Sequence, residues 1–405
     1  MSSKPTLQVS KHLYNISGEG AFAYLARAKE LARKGMRIVS FGIGQPDFPT
    51  PDHIREAAKK ALDEGFTGYT ETAGILELRK AIADYLNDQY SAGVIPDEIV
   101  VTTGAKTAIL LALALYVKEG VEVIIPEPSY PAYAQIVKLF RGKPVYVPLK
   151  WEGGSKGFSL DLELIEERIT SNTRALVLNN PHNPTGAVFT PNQVDELLEL
   201  ARRKNIIIIA DEIYDNFVYD GEFKSVLSFG DWRDYVVYVN GFSKTFAMTG
   251  WRLGYVVVRK EIVDRVIDLA VNVYSCATSF AQKAGVTALK GDWKPVREMI
   301  EIFRKRRDML YELLRGIPGF DVWRSPGTFY MFPNVKEAIA KTGMENSKEF
   351  ADTILEKYGV IILPGTAFPD KAGEGFIRFS FATSFEDIKE GVERIRQAVE
   401  ELSKH

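Results

Sequence analysis

A lysine and an arginine lie eight positions apart in the run NGFSKTFAMTGWRLGY, residues 240–255. Lys244 follows Gly-Phe-Ser and precedes Thr, and removal of water from such a site disfavours the charged ammonium, so Lys244 can act as a nucleophilic amine. Arg252, between two glycines in GWRLG, can bind a phosphate with two parallel N–H groups. An amine that attacks carbonyls beside a phosphate ligand indicates a Schiff base with pyridoxal phosphate.

A second phosphate signal is the small-residue turn formed by Gly104, Ala105 and Lys106, which follows an apolar strand pattern and opens an apolar helix pattern. Backbone amides at the positive end of a helix can bind a dianionic phosphate. The same residues are also compatible with a turn that binds nothing.

A carboxylate ends the apolar run IIIIAD of residues 206–211. Charged groups are seldom buried without a partner. Asp211 either begins a surface loop or pairs with the protonated nitrogen of a pyridine ring. Tyr214, three residues later, could donate a hydrogen bond to the phenolic oxygen of the same ring.

Two further loops follow strand patterns and carry polar or aromatic side chains. In NNPHNPTG, residues 179–186, prolines and a glycine constrain the loop, so Asn183 either caps its own backbone or points its amide at a ligand. Tyr130, after Glu-Pro-Ser, either packs in the core or stacks on a flat cofactor.

The strand pattern GFIRFSF contains one arginine, Arg378, among apolar residues. Most strand arginines face solvent. If Arg378 is instead surrounded by the aromatic residues near it in sequence, it needs a carboxylate partner, and the α-carboxylate of an amino acid substrate is suitable.

The elements that must position these residues alternate between strand and helix patterns. Strands are expected at 99–103, 121–125, 175–179, 206–211, 235–240 and 255–258. Several of them lack polar alternation, which is typical of strands covered on both faces. We therefore predict an α/β fold whose large, mostly parallel, seven-stranded-type sheet is sandwiched by helices, with ligands at the carboxyl ends of the strands. Thr50-Pro51 and the Thr190 capping box mark helix starts.

The pattern changes near residue 293, where a long charged helix (295–314) leads to short strands and helices. This predicts a smaller α+β domain made from both chain termini, residues 1–47 and 293–405. Residues 48–292 form the predicted large, cofactor-binding domain.

Composition excludes several classes of protein. The 405 residues fit two domains. A net charge of −2 gives no global attraction to nucleic acid or membrane. The single cysteine, Cys276, excludes an internal disulfide, and no apolar run approaches the roughly 18 residues of a membrane span. The expected location is the cytoplasm.

The motifs together resemble the class I aminotransferases of pyridoxal phosphate fold type I, especially bacterial and archaeal aspartate and aromatic amino acid aminotransferases. The resemblance covers about residues 39–383. Its motifs are GIGQPDFPTP at Gly42, TGYTETAG at Thr67, NPTG at Asn183, ADEIY at Ala210, SKTFAMTGWRLGY at Ser243, PGTFY at Pro326, LPGTAF at Leu363 and IRFSFAT at Ile377.

This resemblance implies a role for each candidate residue. Lys244 would form the Schiff base with pyridoxal 5′-phosphate, and Asp211 would pair with the ring nitrogen. Hydrogen bonds to the phenolic oxygen would come from Asn183 and Tyr214, and Tyr130 would stack on the ring. The phosphate would be bound by Ser243, Arg252 and the turn of Gly104, Ala105 and Lys106. Tyr69 would bind the phosphate of the neighbouring subunit of a homodimer. The substrate α-carboxylate would be bound by Gly44, Asn183 and Arg378.

The chain departs from the family pattern in two places. Many relatives have a phosphate-binding serine where this chain has Gly241. Some dicarboxylate-specific relatives have a second arginine for the distal carboxylate, and this sequence offers no evident match. Lys106 could replace that arginine, or the pocket could be neutral and prefer aromatic side chains.

The activity implied is ping-pong transfer of an amino group from an L-amino acid, aspartate or an aromatic one, to 2-oxoglutarate. The alternative with the same cofactor is a carbon–sulfur β-lyase. A regulatory protein built on this fold would need a DNA-binding domain, and only about 40 residues precede residue 47. A nicotinamide dehydrogenase would need a G-x-G-x-x-G turn, which is absent from the sequence.

Overall fold

The computed structural model describes residues 9–369 and 371–403. In this part of the chain the helices are α1 Gly20–Arg33, α2 Asp52–Asp63, α3 Leu76–Tyr90, α4 Ala105–Ala114, α5 Ala132–Leu139, α6 Leu162–Arg168, α7 Pro191–Lys204, α8 Trp232–Tyr235, α9 Val263–Val273, α10 Ser279–Lys290, α11 Lys294–Leu314, α12 Lys336–Lys341, α13 Ser347–Tyr358 and α14 Phe385–Leu402. The strands are β1 Val39–Ser40, β2 Ile99–Thr102, β3 Glu122–Glu127, β4 Lys143–Pro148, β5 Lys150–Trp151, β6 Phe158–Ser159, β7 Thr173–Asn179, β8 Ile207–Asp211, β9 Val236–Gly241, β10 Gly254–Val257, β11 Tyr330–Met331, β12 Val360–Ile361, β13 Leu363–Pro364 and β14 Ile377–Ser380.

Seven strands form one sheet in the order β2-β10-β9-β8-β7-β3-β4. The neighbours from β9 to β4 pair in parallel, and β10 is antiparallel to both β9 and β2. The predicted α/β fold with a mostly parallel sheet is confirmed. Because the five strands β9, β8, β7, β3 and β4 are parallel, their carboxyl ends meet at one edge.

Both faces of this sheet are covered by helices. Within β8, Ile208 belongs to the core cluster that includes residues of α2, α3, α7 and α10, whereas Ile209 belongs to the cluster with α4, α5 and α9. A strand buried on both faces needs apolar residues at consecutive positions, which explains the unbroken isoleucine run.

The edge strand β4 was not among the predicted strands. It begins with Lys143-Pro144 and ends at Pro148, and it pairs only with β3. Proline has no N–H to donate to a neighbouring strand, so it is tolerated at an edge and weakens the sequence pattern there.

The first strand, β1, pairs with a strand in the last third of the chain. Strand β1 is parallel to β12, and β11, β14 and β13 form an antiparallel sheet. Beside them, the Ser380 amide donates to the Phe41 carbonyl oxygen at 2.8 Å. The loop after β1 is thereby held next to β14. The predicted boundaries, 1–47 and 293–405 against 48–292, stay a prediction, and residues 1–8, 370, 404 and 405 lie outside the described residues.

The two helix starts differ in outcome. The Thr190 capping box is confirmed, since its hydroxyl accepts from the Gln193 amide. The expectation that Thr50 caps a helix with Pro51 in its first turn is wrong, because α2 begins at Asp52 and Pro51 occupies the cap position. The Thr50 hydroxyl instead donates to the Ala247 carbonyl oxygen at 2.7 Å. Thr50 therefore braces the turn that follows Lys244.

No helix in residues 9–369 and 371–403 is both long and apolar enough to cross a membrane.

Candidate active site

A cavity of about 450 Å³ opens at the carboxyl ends of the parallel strands, beside the N-terminus of α4 and the loop after β1. Its volume is in the range of small-molecule sites, roughly 300–1,000 Å³. The predicted site residues that line it are Gly44, Ala105, Lys106, Tyr130, Asn183, Asp211, Tyr214, Ser243, Lys244, Arg252 and Arg378.

Two predicted residues do not line this cavity. Gly104 lies immediately before α4, next to the guanidinium of Arg252. Tyr69 is 91% exposed and lies outside the cavity of its own chain. Its expected role in a neighbouring subunit stays a prediction.

Lys244 follows the end of β9, and its ammonium Nζ donates to the Gly44 carbonyl oxygen at 2.5 Å. Burial of the ammonium away from water lowers the pKa of Lys244 to about 8. The positive charge of Arg378 lowers this pKa further, while the carboxylate of Asp211 opposes the change. A lysine with this pKa holds a substantial neutral fraction near neutral pH. It can therefore attack a carbonyl carbon or accept a proton.

The carboxylate of Asp211 ends β8 and is buried. Burial raises its pKa to about 6, although the Tyr133 hydroxyl donates to it at 2.6 Å and the Ile213 amide at 3.2 Å. In the described part of the chain, Asp211 has no ion pair. A cationic ring nitrogen placed against it would supply the missing charge partner.

Tyr214 and Asn183 lie on the loops that follow β8 and β7. The Tyr214 hydroxyl lies 2.8 Å from the Tyr330 hydroxyl, and burial raises the pKa of Tyr214. The Asn183 side chain accepts from Arg378 Nη1 at 3.1 Å, and its backbone amide donates to Asn179 Oδ1 at 2.8 Å. Both Asn183 and Tyr214 thus have fixed orientations at the cavity wall.

Arg378 lies on β14, is only 4% exposed, and reaches the cavity from the smaller sheet. Its Nη2 donates to the Gly42 carbonyl oxygen at 2.7 Å, and the guanidinium carbon lies 4.3 Å from the centre of the Tyr330 ring. Its buried Nε has no hydrogen-bond partner among the described residues. Burial lowers the pKa of Arg378. An anion such as a carboxylate would compensate this buried charge.

One end of the cavity is formed by Arg252, Ser243 and the start of α4. Arg252 has φ 53°, and its Nη1 donates to the Thr249 carbonyl oxygen at 2.7 Å. Gly104 has φ 91°, and a Cβ there would lie 2.3 Å from Arg252 Nη2. Only glycine lets this guanidinium approach the N-terminal amides of α4, where cation and amides together suit a phosphate dianion.

These positions fit pyridoxal phosphate. The cavity contains an amine of lowered pKa, a buried carboxylate for a ring nitrogen, and a cation beside helix-terminal amides. Tyr130, packed edge-to-face on Tyr133 with ring centres 5.5 Å apart, supplies an aromatic wall.

The cavity residues that were not predicted include Glu19, Tyr133 and Tyr330. Tyr330 belongs to the PGTFY motif and Tyr133 lies one helical turn after Tyr130, so both had a local signal. Glu19 had none, because its contacts with Lys106 and Tyr130 join residues 87 and 111 positions apart.

The chain matches known proteins along nearly its whole length. A family model described as aminotransferase class I and II matches residues 37–395. The chain is 49% identical over 389 residues to an aspartate aminotransferase of Sulfurisphaera tokodaii, with 96% of each chain covered. It is 50% identical over 394 residues to the aspartate aminotransferase of Sulfolobus acidocaldarius, covering 97% of this chain and 98% of that one. A solved aromatic aminotransferase from Pyrococcus horikoshii superposes with a TM-score of 0.85 at 40% identity, covering 93% of this chain and 99% of that chain.

Proposed function

Because the chain belongs to the class I and II aminotransferases and is a transaminase, we propose that it moves the amino group of an L-amino acid to 2-oxoglutarate with pyridoxal phosphate as cofactor. The observation that carries this proposal is the lowered pKa of Lys244 in a cavity that also holds the buried Asp211 and Arg378. The β-lyase alternative is not favoured, since the relatives found are named transaminases.

In this proposal the cofactor is held by residues of the cavity wall. When bound, pyridoxal phosphate supplies an aldehyde that reacts with amines and a ring that accepts the electron pair of a broken bond to carbon. Asp211 would hold the ring nitrogen protonated, and Asn183 and Tyr214 would donate to its phenolic oxygen. Ser243, Arg252 and the amides of α4 would hold the phosphate.

The reaction is then a matter of positioning and of moving one proton. Arg378 and Asn183 bind the substrate α-carboxylate and so fix the direction of the α-carbon–hydrogen bond. The Lys244 amine, neutral in about a tenth of molecules at pH 7 because its pKa is lowered to about 8, accepts the α-proton and later returns it. General acid–base steps of this kind contribute about 10²–10⁴-fold in rate. Since donor and acceptor use the same α-carboxylate site, they must bind in turn, which gives ping-pong kinetics.

Aspartate is the proposed donor, with aromatic amino acids second. Within the described residues four cations line the cavity: Lys106, Lys244, Arg252 and Arg378. The last three have roles in the amine chemistry, the phosphate and the α-carboxylate. Lys106 remains to bind a distal carboxylate. The names of the two relatives near 50% identity support this choice.

We also propose a homodimer in which Tyr69 of one subunit completes the phosphate site of the other. The support is the 91% exposure of an aromatic side chain within a family motif, together with exposed Val271 and Val273. A monomeric mass in sedimentation at assay concentrations would contradict this assembly.

The test of the activity compares Lys244→Ala with Lys305→Ala, which changes a solvent-exposed lysine of α11. We expect borohydride to attach the cofactor covalently to the wild type and to Lys305→Ala but not to Lys244→Ala, as read by mass spectrometry. Transfer to 2-oxoglutarate should be lost only in Lys244→Ala. Initial rates across a panel of donors then rank aspartate against phenylalanine, tyrosine and alanine. Wild-type transfer rates in Lys244→Ala would refute the assignment.

A further inference from the structure

Glu19 places a carboxylate inside the cavity, on the cation assigned to the distal carboxylate of the substrate. Its Oε1 accepts from Lys106 Nζ at 2.5 Å and from the Tyr130 hydroxyl at 2.9 Å. The side chain of Glu19 is 23% exposed and that of Lys106 is 49% exposed. The ion pair is therefore partly screened and can be exchanged without burying an isolated charge.

The position of Glu19 on its own helix supports a role outside the helix. Glu19 occupies the cap position before α1, yet its side chain makes no capping hydrogen bond. Side-chain oxygens at this position usually accept from the first free amides of the helix. Here the carboxylate points away from α1 and towards α4 and Tyr130, so local helix stability does not explain its orientation.

The start of α1 also forms part of the cavity wall. Gly20, Ala21 and Phe22 line the cavity together with Ala367 and Phe368. A Cβ at Gly20 would lie 3.2 Å from the Cβ of Ala367, so α1 packs closely on this loop. Phe22 is 65% exposed and Glu19 is partly exposed. A move of the Glu19 side chain towards solvent therefore needs no change in the core.

A dicarboxylate donor and a neutral donor would interact differently with the Glu19–Lys106 ion pair. A distal carboxylate that pairs with Lys106 is repelled by the carboxylate of Glu19, and this repulsion favours a Glu19 side chain turned away towards solvent. An aromatic or aliphatic side chain gains nothing from a free ammonium, and the intact Glu19–Lys106 pair presents it with a neutralised surface. The same pair thus opposes one class of substrate and suits the other.

Resting on the proposed function, we propose that Glu19 is a specificity-determining residue, an internal counter-ion of Lys106 that a dicarboxylate substrate must displace and a neutral substrate leaves in place. Glu19 lowers the preference for acidic over neutral donors without abolishing either. The charge on this one side chain then sets the ratio of the two affinities.

The test measures binding of two unreactive acids to the cofactor-loaded protein by titration calorimetry. Succinate carries a distal carboxylate, and 3-phenylpropionate carries a neutral ring. In Glu19→Gln, which keeps the shape and removes the charge, we expect succinate to bind roughly tenfold more tightly, as for the loss of one partly screened like charge. The Kd of 3-phenylpropionate should change by less than about twofold. Glu30→Gln, on the exposed side of the same helix, should leave both values unchanged.

The outcomes separate the inference from the donor proposal. An unchanged succinate Kd in Glu19→Gln, or equal weakening of both acids, overturns the counter-ion role and indicates a structural role only. Lys106→Met should weaken succinate alone. If it does so while Glu19→Gln has no effect, the distal site on Lys106 stands and the counter-ion role fails. If Lys106→Met leaves succinate binding unchanged, the proposed distal-carboxylate site on Lys106 and the counter-ion role of Glu19 are both refuted.

Discussion

Replacement of Gly104 by alanine should weaken cofactor binding through Arg252, although Gly104 does not line the cavity. The new Cβ would lie 2.3 Å from Arg252 Nη2 and 2.8 Å from its guanidinium carbon, too close for either atom to stay in place. The guanidinium must move away from the amides of α4, and the phosphate then loses a charge-assisted hydrogen bond. Such a bond contributes about 1.5–3 kcal/mol, which corresponds to a Kd roughly 10- to 150-fold weaker.

The same substitution has a second effect that must be separated from the first. Gly104 has φ 91° and ψ 160°, a region that side chains other than glycine avoid. An alanine there costs about 1–3 kcal/mol of unfolding free energy whatever its neighbours are. Gly65 also has positive φ, 76°, but a Cβ there meets no described atom within 4 Å. Gly65→Ala is therefore a control for backbone strain alone.

The assay is titration of the apoproteins with pyridoxal phosphate, followed by fluorescence, beside urea unfolding at one protein concentration. Both variants should lose stability, and only Gly104→Ala should lose cofactor affinity. Equal cofactor affinity in the two variants would refute the inference that Gly104 acts by admitting the Arg252 guanidinium.

Two further predictions concern the charged residues of the site. Burial raises the pKa of Asp211 from 3.8 to about 6, so the folded apoprotein should lose about 2.4 kcal/mol of unfolding free energy from this group as pH rises from 4 to 8. Asp211→Asn should remove that part of the pH dependence, as measured by urea unfolding of the variant and the wild type. The buried Glu212 contributes in the same direction in both proteins. Identical slopes of unfolding free energy against pH in the two proteins would contradict the prediction. Arg378→Lys keeps the charge but loses the forked donor geometry, so kcat/KM should fall about 30-fold, or about 2 kcal/mol, for aspartate and phenylalanine alike, because the α-carboxylate is common to both. A loss confined to one donor would instead place Arg378 at the substrate side chain.

Much of the cavity wall was predictable because its residues follow buried strands, and the sequence of such strands is conspicuous. Asp211 ends a run of isoleucines, and Asn183 follows a strand in a loop fixed by prolines. The parallel sheet brings the carboxyl ends of its strands together, so side chains that follow different strands in the sequence lie close to one another. Lys244 and Arg252 needed no long-range information, since one turn joins them.

The predictions that were wrong or missing have a physical cause, namely contacts between segments that are distant in the sequence. The Thr50 hydroxyl oxygen could have accepted from an amide of α2, but it accepts from the Trp251 indole, 201 positions away, at 3.0 Å, and its proton is donated to the Ala247 carbonyl oxygen. Glu19 precedes an ordinary amphipathic helix, and nothing near it in sequence shows that its carboxylate meets Lys106. Local patterns identify which side chains could bind or cap, whereas tertiary packing decides which partner each one has.

Hydrogen bonds between residues of the cavity wall also join the smaller sheet to the large one. Arg378, on β14, donates to the Asn183 side chain of the loop after β7, and Lys244, after β9, donates to the Gly44 carbonyl oxygen of the loop after β1. A carboxylate bound by Arg378 and Asn183 would add another bridge between the same two parts. Because positive charge on Arg378 also lowers the pKa of Lys244, an anion on Arg378 would raise that pKa. In the proposed function, a substrate carboxylate would thus strengthen the junction and also make the Lys244 amine a stronger base, both through one guanidinium.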